Sequence, residues 1–179
     1  MTLSYNRCGC KRNKKRKIVL LTNKCNYVII KNEVIALKKI IVSACLLGEN
    51  CKYNGGNNLD ARVVEFVKGR DVIPVCPEVL AGLGIPRITI ELKDGIVTRK
   101  DGVVVDEAIR KVVTQILAQV KEEDIECAIL KARSPTCGVH QIYDGTFSGT
   151  LTDGAGVLAQ ALLDAGYIVW DNEDLEEMQ

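Results

Sequence analysis

Short β-like runs alternating with helical segments predict an α/β chain, a three-layer Rossmann-like sandwich with a mainly parallel sheet and inserted β-hairpins. Three observations carry this expectation. Apolar runs at 40–47, 72–75, 127–130 and 167–170 are too short for helices and mostly hold β-branched or aromatic residues. Segments with apolar residues at three- and four-residue spacing lie between them. Asp-Gly pairs at 94–95, 101–102 and 144–145 favour tight turns between alternating stretches.

Taken in order, Ile40 to Leu47 reads as a strand ended by Gly48. Asp60 to Lys68 reads as an amphipathic helix with Val63, Val64 and Val67 on one face. Val72 to Val75 is a second strand stopped by Cys-Pro-Glu, and the stretch to Pro86 reads as a loop. Ile88 to Val97 and Val103 to Val105 alternate as hairpin strands. Asp106 to Val120 is the clearest helix, with an acidic cap residue and Ile109, Val112, Val113, Ile116 and Val120 on one face. Cys127 to Leu130 is an unbroken apolar strand, and Gln141 to Tyr143 opens a short hairpin. Asp153 is placed to cap a helix running to about Ala165, Gly166 to end it, and Tyr167 to Trp170 to form the last strand.

A chain of 179 residues with 47% apolar content is long enough for one cored domain. The formal charge of +1 hides an asymmetry, since residues 1–39 hold 11 Lys/Arg against one acidic residue, Glu33. We therefore expect a poorly ordered basic extension over 1–37 and the domain proper over 38–179. The basic run reads as a solvated tail, with nucleic-acid contact conceivable only there; a start assigned upstream of the domain also fits. No apolar stretch is long enough to span a bilayer and no signal peptide is evident, so a cytoplasmic protein without membrane contact is expected.

Eight cysteines in a chain that is not small and not short of core argue against a disulfide framework and for metal binding or thiol chemistry. Cys45, Cys76 and Cys137 each follow a strand-like run and sit in a turn rich in Gly, Pro or Ser. In a parallel sheet the carboxyl ends of the strands line one edge, where ligands bind. Three thiols brought to that edge would suit an iron–sulfur cluster or another metal, with one open coordination position for Lewis-acid chemistry. Cys127 reads as core. Cys51 is either a fourth ligand, closing a zinc or cluster site, or a loop residue, and Cys8, Cys10 and Cys25 are weak metal candidates.

Glu78, two residues past Cys76, is either a general acid or base facing the same crevice or a plain surface carboxylate. Ser134, three residues before Cys137, either offers a hydroxyl to a substrate or is a turn serine. The sole histidine, His140, rules out a histidine-based triad and a histidine-rich zinc site. No P-loop or G-x-G-x-x-G is present, so nucleotide cofactors are not indicated.

Val-Ser-Ala-Cys-Leu-Leu-Gly at 42–48, Lys-Tyr-Asn-Gly-Gly at 52–56, Val-Cys-Pro-Glu at 75–78, Gly-Ile-Pro-Arg at 84–87, Ser-Pro-Thr-Cys-Gly at 134–138 and Ile-Tyr-Asp-Gly-Thr-Phe-Ser-Gly at 142–149 together resemble the thiouracil desulfidase family, DUF523. The resemblance covers Lys38 to about Trp170. It implies a non-redox desulfidase with a [4Fe-4S] cluster on Cys45, Cys76 and Cys137, and it argues against Cys51 as a ligand. Glu78 and Ser134 fall on positions with acid/base and substrate-activating roles. The implied partner is a small thiolated pyrimidine, whose soft sulfur binds the open iron while water attacks the carbon. Lys52 stands where many relatives carry arginine. The rival readings are a non-catalytic iron–sulfur or zinc sensor or redox protein, and an RNA-associated module using the basic tail.

Overall fold

The computed structural model describes residues 38–175 in full, together with the backbone of Tyr27–Ile30, Glu33–Ala36 and Glu176. The expected basic extension, with Cys8, Cys10 and Cys25 and its nucleic-acid role, falls mostly outside the described residues. Within it, β1 (Tyr27–Ile30) and β2 (Glu33–Ala36) pair as an antiparallel hairpin.

Chain order continues through β3 (Lys39–Ser43), α1 (Ala61–Phe66), β4 (Asp71–Val75), α2 (Pro77–Leu80), β5 (Ile90–Lys93), β6 (Ile96–Arg99) and α3 (Asp106–Lys121). It ends with β7 (Ile125–Leu130), β8 (Gln141–Tyr143), β9 (Leu151–Asp153), α4 (Val157–Asp164) and β10 (Val169–Asp171). The central sheet has the order β10-β7-β3-β4, with every neighbouring pair parallel. Two antiparallel hairpins, β5-β6 and β8-β9, stand apart from it. The α/β class with a mainly parallel sheet and inserted hairpins is thus the architecture observed. Among the described residues no helix is long and apolar enough to cross a membrane.

A parallel sheet is covered on both faces, so its inner strands are apolar at successive positions rather than alternate ones. β3 illustrates this: Ile40 and Val42 face the cluster built with Val63 of α1, while Ile41 faces α3 and α4. All three are fully buried. Helix α3 supplies Ile109, Val112, Val113, Ile116 and Val120, and α4 supplies Leu158 and Leu162. Each such side chain contributes roughly 1.5–3 kcal/mol by leaving water. Cys127 is core, as expected, in the α1-side cluster.

Several expected boundaries shift for local reasons. The strand at 40 ends at Ser43, because Ala44–Leu47 closes into a 3-10 turn capped by Gly48 at φ 92°. Residues 77–80, expected as loop, are helix α2, because Pro77 at its first position needs no hydrogen-bond partner for its nitrogen. Val64 is exposed, and only Val63 and Val67 of its trio pack inward. Asp106 does not cap α3 as expected; its Oδ1 accepts the Val97 N–H and its Oδ2 the Arg110 side chain, tying the helix to the β5-β6 hairpin. Asp153 belongs to β9, and Gly156 occupies the cap of α4.

The last shift has a steric cause. Gly156 lies against the backbone of Thr136 and Cys137, where an added Cβ would come within 2.5 Å of the Thr136 carbonyl carbon. Helix α4 is seated there by donation from Val157 N to Pro135 O and from Leu158 N to Thr136 O, at 3.1 and 2.8 Å. Gly156→Ala should therefore destabilise the fold by about 1–3 kcal/mol, as overpacked sites do. Denaturant unfolding measures this, and an unchanged midpoint would mean that the helix is not wedged on that loop.

Candidate functional site

The chain first lays down β3, adds β4 on one side and then crosses to add β7 on the other. The strand order reverses beside β3, and ligand crevices in open α/β sheets form outside the carboxyl ends of the strands at such a point. The cavity found here has a volume of 540 Å³ and is lined by Cys45, Cys76 and Cys137, each from the loop after one of these three strands. Glu78 and Ser134 line it as well, so all five residues singled out in the sequence meet in one space.

The loops after β3 and β7 are bolted together by polar contacts. Ser43, at the end of β3, accepts the Lys131 N–H just past β7 at 3.0 Å. Asn172, beyond β10, accepts the Ala132 N–H and donates to Asp60, whose own N–H bonds to Leu46 O. Cys45 O accepts the Asn58 N–H at 3.0 Å, fixing the turn around that cysteine. Cys76 caps α2 in extended conformation, which projects Glu78 from the first turn of that helix. In the Ser-Pro-Thr-Cys-Gly turn, Gly138 is required because a Cβ would lie 2.6 Å from Gln141 O.

The sulfurs have weak partners. Cys76 Sγ lies 3.8 Å from Cys51 O, and Cys137 Sγ 3.5 Å from Thr136 Oγ1. Burial pushes the Cys137 thiol up to about 12, against hydrogen bonds from Ser43 and Thr136 that act in the other direction. Burial likewise raises Cys45, opposed by a hydrogen bond from Asn58 and by the charge of Lys131. Cys51, buried in the same cavity, is pushed up to about 12 by burial and by its neighbours Cys76 and Cys45. Among the described residues, no three His, Cys, Asp or Glu side chains close on a single metal ion. Several buried thiols around one cavity, without strong partners of their own, are chemically suited to a larger thiolate-bound group such as an iron–sulfur cluster.

Beside the thiols lies a polar wall. Glu78 Oε2 accepts from Arg87 Nε at 2.8 Å, and the Arg87 side chain is 5% exposed. Glu78 Oε1 accepts from Thr136 Oγ1 at 3.3 Å, and Thr136 Oγ1 is 3.1 Å from Ser134 Oγ. Glu78 is thus no plain surface carboxylate, while Ser134 Oγ both braces its own turn, accepting the Thr136 and Cys137 N–H groups, and lines the cavity. Lys52, Lys100 and Lys131 add positive charge to the lining. The two hairpins cover the cavity: Phe147 N–H donates to buried Glu91 at 2.8 Å, and Gly145 is pressed against Lys93, where a Cβ would not fit. Tyr143 and Phe147 form part of this cover.

Arg87, Thr136, Lys131 and Asn172 were not singled out in the sequence. Arg87 and Thr136 sit inside the motifs Gly-Ile-Pro-Arg and Ser-Pro-Thr-Cys-Gly, the available signal, whereas Lys131 and Asn172 carry none. His140 is an exposed loop residue with Nε2 3.0 Å from both Asp174 oxygens.

Fold and site define an α/β protein with a thiol-lined, partly covered cavity at the sheet's reversal point. The chain belongs to the 2-thiouracil desulfurase family, whose profile matches residues 40–174. It is 34% identical over 149 residues to the uncharacterized protein YbbK of Bacillus subtilis (strain 168), covering 78% of this chain and 99% of that protein. Its fold is similar to the solved structure of the [4Fe-4S]-dependent thiouracil desulfidase TudS, at a TM-score of 0.72 and 33% identity. That match covers 78% of this chain and 94% of the other.

Burial keeps Cys51 and Cys137 protonated in the folded, metal-free chain up to about pH 12, whereas thiols ordinarily ionise at 9.0. The folded state then holds more protons than the unfolded one between those values, and stability falls as pH rises. Unfolding midpoints of the metal-free protein should drop progressively above pH 9, and a flat profile there would contradict buried thiols.

Proposed function

We propose that the protein is a non-redox desulfidase that removes sulfur from thiouracil or a related thiolated nucleobase or nucleotide. The observation that carries this reading is the convergence of Cys45, Cys76 and Cys137 with Glu78 and Ser134 on one cavity. Family membership and the likeness to a [4Fe-4S]-dependent thiouracil desulfidase support it.

In this reading Cys45, Cys76 and Cys137 hold a [4Fe-4S] cluster. When bound, that group supplies a soft Lewis acid, through an iron free of protein ligands, that polarises a thiocarbonyl. The chain's own residues do the rest. Arg87 holds the Glu78 carboxylate by its Oε2, leaving Oε1 directed at Thr136 and the site. Glu78 accepts the proton released as water attacks the thiocarbonyl carbon, and returns it to the departing sulfide. Ser134 orients the pyrimidine through a ring heteroatom. Tyr143 and Phe147 on the covering hairpin give the flat base an apolar surface and limit bulk water. Lys52 and Lys100 suit an anionic substituent, so a thiolated nucleotide is accommodated as well as the free base.

Anaerobic reconstitution with iron and sulfide, followed by the loss of thiouracil absorbance and release of sulfide, tests the proposal. A reconstituted chain that leaves thiouracil intact would refute it. Glu78→Ala should keep the cluster chromophore and lower the rate by roughly 10²–10⁴-fold, the usual contribution of a general acid or base. Undiminished turnover would remove Glu78 from the mechanism. With three ligands the cluster does not need Cys51, so Cys51→Ser should remain brown and active; loss of the cluster would favour a closed, four-cysteine site instead.

A further inference from the structure

We propose that Glu91 is a specificity-determining residue that reads the imide N–H of the pyrimidine ring with the carboxylate oxygen that Phe147 leaves free. The inference rests on the desulfidase reading and names what its site recognises in the base.

Successive side chains of a strand point to opposite faces. Along β5, Ile90 and Leu92 pack into the core beside Val97, so Glu91 and Lys93 point the other way, onto the covering loop. Glu91 is 8% exposed and lines the cavity. A carboxylate offers about four acceptor positions, and a buried one is ordinarily matched by several donors or by an opposite charge. Among the described residues Glu91 has one partner, the Phe147 N–H on Oε2, and no ion pair. The buried side-chain atoms left without a partner, again among the described residues, are Asp71 Oδ2 and Arg99 Nε. Glu91 Oε1 is not one of these sealed atoms, so it opens on the cavity that its residue lines.

Phe147 fixes the carboxylate and is fixed by it. Its backbone φ of 58° lies in the left-handed region, unfavourable for a bulky side chain, and the 2.8 Å bond to Glu91 holds it there. Phe147 lines the same cavity. One carboxylate thus secures an apolar surface for the flat base and presents an acceptor to it.

An acceptor without a hydrogen selects a ring donor. Uracil-type bases carry an N–H between their two carbonyl carbons, and this group adjoins the reacting carbon whichever of the two holds sulfur. It also survives attachment of a sugar, which removes the other ring N–H. A cytosine-type ring has a lone pair at that position, which a carboxylate repels. Glu91 therefore admits uracil-type bases and their nucleotides and rejects cytosine-type ones, because a buried polar group left unmatched penalises the wrong ligand.

Glu91→Gln separates the two tasks of the side chain. Its amide oxygen can still accept the Phe147 N–H, and its NH2 then replaces the acceptor by a donor. Binding of uracil, 3-methyluracil and cytosine is measured by calorimetry at neutral pH on the anaerobically reconstituted protein and again on the metal-free chain. Wild type should bind uracil roughly 10–100-fold more tightly than either of the others, the range that a hydrogen bond to a charged group carries. Glu91→Gln should lose that preference for uracil and gain affinity for cytosine, while Phe147 N–H keeps its protection from hydrogen exchange. Glu91→Ala should lose both the preference and the protection. In turnover, Glu91→Gln should raise KM for thiouracil with a smaller effect on kcat, as loss of ground-state binding does. Wild type that binds no pyrimidine, or that binds the three alike, overturns the assignment, as does a Glu91→Gln ranking equal to wild type. Wild type that ranks the bases as stated yet leaves thiouracil intact would instead defeat the desulfidase reading and leave Glu91 as the reader of the ring.

Discussion

The seating of helix α4 on the Ser-Pro-Thr-Cys-Gly turn is the contact on which the site depends. A helix begins with N–H groups that have no partner within it, and a carbonyl-rich turn supplies what they need. Here the carbonyls of Pro135 and Thr136 accept from the first turn of α4, and the absence of a side chain on Gly156 lets the two backbones touch. With its carbonyls turned toward α4, the turn directs its N–H groups at Ser134 Oγ and brings Cys137 and Thr136 into the cavity. One backbone arrangement thereby sets a thiol, a hydroxyl pair and the reach to Glu78.

The sheet supplies the second constraint. Parallel strands point their carboxyl ends the same way, so three consecutive members of the order β7-β3-β4 deliver three loops to one edge. Ser43 and Asn172 then tie the loop after β7 to its neighbours, and the Thr136–Glu78 contact ties it to the segment after β4. The result gathers buried and half-buried thiols, and at Cys137 and Cys45 burial outweighs the hydrogen bonds from Ser43, Thr136 and Asn58 and the charge of Lys131. A protein gains little stability from such an arrangement, and groups of this kind concentrate at functional sites. The same holds for the Arg87–Glu78 pair, whose removal from water is costly and is offset by charge-assisted hydrogen bonds.

Much of this was legible in the sequence because it is local. Strand period, the Gly and Pro that follow each strand, and the five residues gathered at the strand ends are properties of neighbouring positions. Features that failed are decided at a distance. Asp153 looks like a helix cap until β8 claims its backbone in a hairpin, and Gly156, two residues before Leu158, takes the cap because of its contact with Thr136. Val64 fits the helical pattern of α1 but lies on its outer side, since a helix of six residues presents only a narrow stripe to the sheet. Arg87 and Thr136 acquire meaning only when Glu78 comes between them, 9 and 58 residues away in the chain. Asn172 bonds to Ala132 and Asp60, which lie 40 and 112 positions before it, a relation that no spacing rule reveals.

The central claim is that three strand-end thiols hold a group with one corner open to substrate. Mössbauer spectroscopy of the iron-reconstituted protein, recorded with and without thiouracil, tests it most directly. The account predicts one iron distinct from the rest, and thiouracil should change the signal of that iron alone. Four equivalent irons that do not respond to thiouracil, or iron bound with Cys45, Cys76 and Cys137 all replaced by serine, would contradict it.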